Sequence, residues 1–153
     1  MLRGIYERTG MQSWTEEQWR ELKAVHYGMC ARIDHQLGRI IAALKAAGQY
    51  DNTAIFFFSD HGMYVGDYGV VGINQNTFED CLTRVPLVLK PPKGTSLRPG
   101  TSDALVELTD LVATVEDLAG LKQSYSHFSR SLLPVVAGQR AEHRDAVFSE
   151  GGR

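Results

Sequence analysis

Between Leu22 and Leu44 apolar residues recur every three or four positions. Leu22, Val25, Met29, Ile33, Leu37, Ile40, Ile41 and Leu44 fall on one stripe, the spacing of an amphipathic helix with a buried face. Glu17, Arg20, Glu21, Lys23, Arg32 and Arg39 take the other side. The pattern predicts a long helix over about 14–47. Ser13 and Glu16 have capping-box spacing, which makes Ser13 the expected N-cap. Gly48 is the expected stop, with Asp51-Asn52 turning after it. Gly28 and Gly38 lie inside the pattern, and each weakens a helix by about 1 kcal/mol against alanine. A bend or break is expected there.

The period then changes. Ala54-Ile55-Phe56-Phe57-Phe58 is a continuous apolar run bounded by polar residues, and reads as a strand buried on both faces, as in a parallel sheet. Gly62, Gly66, Gly69 and Gly72 space the segment that follows, which reads either as a loop folded tightly over a site or as a mobile loop. Val85 to Leu89 reads as a second strand, with Pro86 placing its start at an edge or terminus. Ala104 to Leu108 is another apolar run, read as a strand. A short helix is expected from Thr109 or Asp110, burying Leu111, Val112, Val115, Leu118 and Ala119 and capped by Gly120. Leu121 to Arg130 reads as loop, Leu132 to Val136 as a helical turn, and Ala146-Val147-Phe148 as a strand. This order is α/β in character. A helix first and an uncovered strand last predict part of a larger domain.

Composition narrows the partners. In 153 residues, sixteen basic against eighteen acidic side chains give a net charge of −2, without the basic face of a nucleic-acid binder. Lys90 to Arg98 is locally basic but short and proline-rich, and reads as a solvated loop. No apolar stretch reaches the roughly 18–20 residues of a membrane span. Neither nucleic acid nor membrane is therefore an expected partner. Cys30 and Cys81 form neither a disulfide framework nor a zinc motif. Cys30 lies among the apolar helical positions and is expected as a buried free thiol.

Ser59-Asp60-His61-Gly62 ends the first apolar run. Ligands of open α/β sheets gather beyond the carboxyl ends of strands, so a carboxylate and an imidazole here are placed for chemistry, metal binding among it. Gly62 lets backbone approach closely. Asp and Gly are also ordinary turn residues. Glu79 and Arg84 are expected to form an ion pair bracing their loop, with contact to substrate as the alternative, and Asp110 is expected to cap its helix. Tyr64 and Tyr68 sit in the glycine loop, either packing or shaping specificity. Trp14 and Trp19 are expected in the core, and His26 and His35 as satisfied histidines outside the site.

Several segments, in order, carry a resemblance. Asp34-His35-Gln36-Leu37-Gly38-Arg39 with Leu44; Tyr50-Asp51-Asn52-Thr53 followed by Phe57-Phe58-Ser59-Asp60-His61-Gly62; Phe78-Glu79-Asp80 with Thr83-Arg84-Val85-Pro86-Leu87; Thr109-Asp110-Leu111 with Leu118-Ala119-Gly120; and Arg130-Ser131-Leu132-Leu133 with His143-Arg144-Asp145 resemble the carboxy-terminal part of the catalytic domain of the sulfatases, in the alkaline-phosphatase-like superfamily. Five ordered motifs are more specific than any one. The resemblance runs from about Trp14 onward, and Ala113 stands where the family usually has proline.

The resemblance implies a partial alkaline-phosphatase/sulfatase-like mixed sheet flanked by helices. It implies one incomplete catalytic domain over 1–153: the long helix at about 14–47, the metal strand and loop at about 54–76, and the remaining strands and helix at 77–153. It implies sulfuric ester hydrolysis through a formylglycine and Ca²⁺, with a sulfated small molecule or sugar as the intact protein's substrate. Asp60 and His61 match the family's metal-holding pair. A hard cation suits Asp60 better than His61. The sequence departs from the pattern elsewhere. It has no Cys-x-Pro-Ser-Arg to yield formylglycine, and no amino-terminal acidic pair. Ile73-Asn74-Gln75-Asn76 stand where a sulfate-gripping lysine is usual, and His26 and His35 do not match the family's proton-donating histidine. No catalytic residue is assigned, and the chain is expected to be truncated at both ends and inactive alone. A phosphoesterase or phosphonate hydrolase of the same superfamily, or a non-catalytic remnant serving as a binding module, are the alternatives.

Overall fold

The long helix forms, with its start moved by two residues. In the computed structural model, which describes residues 2–8, 11–73, 77–122 and 125–150, helix α1 (Leu2–Arg8) and a 3-10 turn at Met11–Ser13 precede α2 (Glu16–Ala46). Ser13 is held inside that turn. The N-cap is Thr15, whose extended backbone (φ −77°, ψ 161°) lets its hydroxyl accept from Gln18 N–H while the Gln18 side chain accepts from Thr15 N–H. This is a capping box, set two residues later than expected. Gly48 takes a positive φ of 67° at the far end. Gly28 and Gly38 do not break α2, which runs unbroken for 31 residues.

The expected buried stripe is not buried. None of the residues of α2 is fully buried, and Val25, Met29, Ile33 and Ile40 are each at least half exposed. The better covered positions are Trp19, Leu22, His26, Leu37, Ile41 and Leu44. Cys30, expected inside, is an exposed free thiol.

The chain divides into two compact units. The first comprises 1–52, 56–88 and 150–153; the second comprises 53–55 and 89–149. In the first, Ile5, Tyr64, Val70 and Leu82 form the core, with Tyr6 and Cys81 packed against it. Strand β1 (Ile55–Phe58) matches the expected apolar run. It is half-buried, with Phe58 exposed, rather than enclosed on both faces. The glycine loop holds a short hairpin: β2 (Tyr64–Val65) pairs antiparallel with β3 (Val71–Gly72), in the register Tyr64↔Gly72 and Val65↔Val71. The short helix α3 (Asp80–Thr83) follows. Strand β4 (Leu87–Lys90) starts just after Pro86 and pairs with β1. No described helix is long and apolar enough to cross a membrane.

The second unit carries α4 (Asp110–Ala119), stopped by Gly120 at φ 65°, and α5 (Leu133–Val136). Ala104–Leu108 and Ala146–Phe148, expected as strands, are irregular. Phe148 is exposed, and its N–H donates to Glu107 Oε1 at 3.0 Å. The face α4 buries is also not the expected one. Val112 and Val115 are almost half exposed, whereas Asp110 and Thr114 are fully buried.

Asp110 is the hub of this unit and not a helix cap. Its Oδ1 accepts from Arg130 N–H at 2.7 Å, and its Oδ2 from Glu107 N–H at 3.0 Å and His143 Nε2 at 3.0 Å. The Arg144 guanidinium donates to both oxygens through Nε and Nη2, and Nη2 also reaches the Phe128 carbonyl at 2.8 Å. Thr114 hydroxyl donates to the Asp110 carbonyl and accepts from Leu132 N–H. Helix α4 is thereby tied to the segments entering α5 and carrying His143-Arg144. Burial by itself raises the Asp110 pKa. The Arg144 guanidinium and the amides of Glu107 and Arg130 outweigh it and hold the carboxyl at about 2.

An unpaired buried charge is costly, so Arg144→Ala is expected to destabilise the fold by about 3–5 kcal/mol, measured by urea denaturation. The Asp110 carboxyl lies below its unfolded value of about 3.9, so its contribution is full above about pH 4 and is lost as the pH falls towards 2. The acid limb of the stability curve should therefore flatten in the variant.

Candidate metal centre

Asp60 and His61 lie just beyond the carboxyl end of β1, in a turn that fixes the imidazole. His61 Nδ1 is 2.9 Å from the Gly62 carbonyl oxygen. A carbonyl can only accept, so Nδ1 carries the proton, and in the neutral ring Nε2 keeps its lone pair. Nε2 lies 3.8 Å from Asp60 Oδ1. Asp60 Oδ1 also accepts from His61 N–H at 2.9 Å. Both side chains are open to solvent, the Asp60 side chain at 81% and that of His61 at 51% of full exposure. A carboxylate oxygen and an imidazole nitrogen at that separation can reach one ion, because bonds to divalent metals are about 2.0–2.6 Å long. Anchoring Nδ1 on a backbone carbonyl is also the usual orienting contact of a ligating histidine. The donor set therefore fits a divalent cation, as part of a site. Among the described residues, no three His, Cys, Asp or Glu side chains converge.

The turn is held from below. Ser59 hydroxyl donates to the His61 carbonyl at 2.7 Å. Gly62 N–H donates to the Leu82 carbonyl at 2.8 Å, at the heart of α3. A Cβ on Gly62 would overlap the Cys81 carbonyl oxygen and come within 2.8 Å of its carbon. Only glycine lets the turn dock this closely on α3.

Two residues on, Tyr64 is fully buried. Its hydroxyl oxygen lies 2.5 Å from Glu79 Oε2 and 2.8 Å from Thr77 Oγ1. A carboxylate only accepts, so the one phenolic proton goes to Glu79. Burial first and the Glu79 bond second push the Tyr64 phenol up to about 12, and the same bond lowers the Glu79 carboxyl. Glu79 thus engages Tyr64; it makes no ion pair with Arg84. The sequence reading missed this link. No local pattern marks it, because Thr77 and Glu79 lie 13 and 15 residues beyond Tyr64.

Tyr68 is different. It holds a left-handed backbone (φ 55°), is 63% exposed, and meets Tyr64 edge-on at 6.3 Å. Asn74 to Asn76, where the resemblance expects a lysine, lie outside the described residues. His35 is exposed. His26 Nε2 lies 3.7 Å from Cys30 Sγ, and its buried Nδ1 has no partner, so it is not the satisfied histidine expected. Trp14 and Trp19 are half-buried.

Four similarities to known proteins bear on this site. The model of the Sulfatase family matches residues 5–121. Arylsulfatase K of Danio rerio is 34% identical over 125 residues, covering 81% of this chain and 23% of that protein. N-acetylglucosamine-6-O-sulfatase of Bacteroides thetaiotaomicron is 28% identical over 138 residues, covering 90% of this chain and 24% of that protein. The crystal structure of the phosphonate monoester hydrolase of Agrobacterium radiobacter superposes with a TM-score of 0.75 at 34% identity, over 82% of this chain and 25% of that one. The chain spans about a quarter of the length of the curated relatives it matches.

The close approach at Gly62 has a measurable cost. Gly62→Ala is expected to lose about 1–3 kcal/mol in urea denaturation, because the new methyl meets backbone that cannot rotate away.

Proposed function

The chain belongs to the sulfatase family, and from that premise we propose that it supplies part of the divalent-metal site of a sulfuric ester hydrolase. The observation that carries this reading is the pairing of Asp60 Oδ1 with His61 Nε2 at 3.8 Å, with Nδ1 tethered to Gly62. Asp60 offers acceptor oxygens, and His61 one oriented nitrogen. Ca²⁺ is the expected ion by family, since a carboxylate in a solvent-open turn suits a hard cation. When bound, the cation supplies Lewis-acid polarisation of the ester's oxygens. The chain's own part is to hold the two donors on a turn braced by Ser59 and by the Gly62–Leu82 bond.

A sulfated small molecule or sugar is the proposed substrate of the intact protein. The name of the Bacteroides relative, which specifies a sulfated hexosamine, supports that class. The sequence contains no Cys-x-Pro-Ser-Arg, so we assign no nucleophile and expect no turnover by this polypeptide alone. Phosphonate monoester hydrolysis is the second reading, favoured by the 34% identity to the Agrobacterium enzyme.

Calcium at millimolar concentration is expected to raise the melting temperature of the purified chain, by about 1.4 kcal/mol of stability at ten times the dissociation constant. Asp60→Asn should abolish the gain while leaving the metal-free melt in place. A wild-type melt that calcium does not move would overturn the metal assignment. In a separate assay, release of 4-nitrophenol from 4-nitrophenyl sulfate should stay at the buffer rate, and hydrolysis by this chain would refute the absence of a nucleophile.

A further inference from the structure

A concave feature lies in the first unit, where α1 and the start of α2 meet the glycine loop. It is a cavity of about 280 Å³ walled by Tyr6, Trp14 and Trp19, rimmed by Lys23 and floored by Gly66 and Gly69. That volume is at the small end for ligand pockets, about enough for a single ring with a substituent.

The walls are aromatic, and two of them pack against each other along one side of the cavity. Trp14 and Trp19 stand 4.8 Å apart between ring centroids, tilted by 49°. The Trp19 and Tyr6 rings rest on the glycine backbone beneath them. A Cβ on Gly66 (φ 98°) would lie 3.1 Å from the Trp19 ring, and one on Gly69 (φ 69°) would lie 2.6 Å from the Tyr6 ring. The positive φ and the ring contact both demand glycine.

The charge at the rim is uncompensated. Lys23 follows Trp19 by one helical turn, and its Cε would lie 3.6 Å from a Cβ on Gly66. It is exposed and makes no hydrogen bond or ion pair among the described residues. Among the described residues, no carboxylate lines the cavity. Asp67, between the two glycines in sequence, turns its Oδ2 to Val65 N–H at 3.0 Å. Glu16 is taken by Arg20 at 2.8 Å.

We propose that this cavity binds a ring-bearing anion, its ring against Trp14 and Trp19 and its charge on Lys23. Offset stacking on the indoles supplies the apolar part, and the ammonium supplies a charge-assisted hydrogen bond. The site shares no residue with the Asp60–His61 pair.

The chain's two tryptophans both line the cavity, so tryptophan emission reports on it alone. Titration with phenyl sulfate in EDTA should give a saturable change in emission. Benzyl alcohol, which has the ring without the charge, and methyl sulfate, which has the charge without the ring, should each bind at least about tenfold more weakly. Lys23→Met should weaken phenyl sulfate binding by about tenfold or more at an unchanged melting temperature, and Lys23→Arg should retain it. The inference is overturned by an emission that does not saturate up to about 10 mM. It is also overturned by benzyl alcohol binding as tightly as phenyl sulfate, or by Lys23→Met binding as tightly as wild type. EDTA keeps calcium out of the measurement, so failure here is separate from failure of the metal assignment.

Discussion

The turn that carries Asp60 and His61 depends on one missing atom. Because Gly62 has no Cβ, the turn after β1 settles onto the Cys81–Leu82 backbone and donates its amide to the Leu82 carbonyl. The Asp60 and His61 side chains are therefore carried on a backbone fixed from two sides, by α3 below and by the Ser59 hydroxyl within the turn. A side chain at 62 would lift the turn and with it both donor atoms. Rigid support of exposed polar groups is what a binding site requires, since mobile donors must be ordered at the moment of binding.

The two carboxylates singled out by sequence end in opposite environments. Asp60 is open to water and has a spare oxygen. Asp110 is fully enclosed, and both of its oxygens are taken by Arg144, His143 and two amides. Burial costs a carboxylate its hydration, and only a full set of donors restores it. The His143-Arg144 segment thus acts as a clamp that closes the second unit onto α4. The same chemical group is a structural keystone in one place and an exposed, partly used acceptor in the other. The difference lies in how many of its lone pairs the protein has already used.

Local features were legible where short-range chemistry decides them. The run Ile55–Phe58, the Gly120 stop of α4 and the short α5 follow from periodicity and capping. The motif order identified the family, and Asp60 and His61 were found together at the strand end. What failed depended on tertiary context. Both Ser13 and Thr15 can cap a helix, and the 3-10 turn at Met11–Ser13 decides between them. Ala104–Leu108 is apolar enough for a strand, but no neighbouring strand pairs with it. The β2–β3 hairpin was hidden because its strands are two residues each, too short for a period to show. The Asp110–Arg144 contact spans 34 residues of sequence, and no local pattern announces a partner that distant.

Helix α2 is about 46 Å long, yet no position along its 31 residues is fully enclosed. Helices in proteins owe most of their persistence to packing of their apolar face, and here much of that face meets water. Between Val25 and Ile40, with Gly28 and Gly38 inside that span, the backbone bonds rest largely on their own cooperativity. Amide protons in that middle stretch should trade with deuterium through local opening events, well before the Asp110 cluster lets its own amides go.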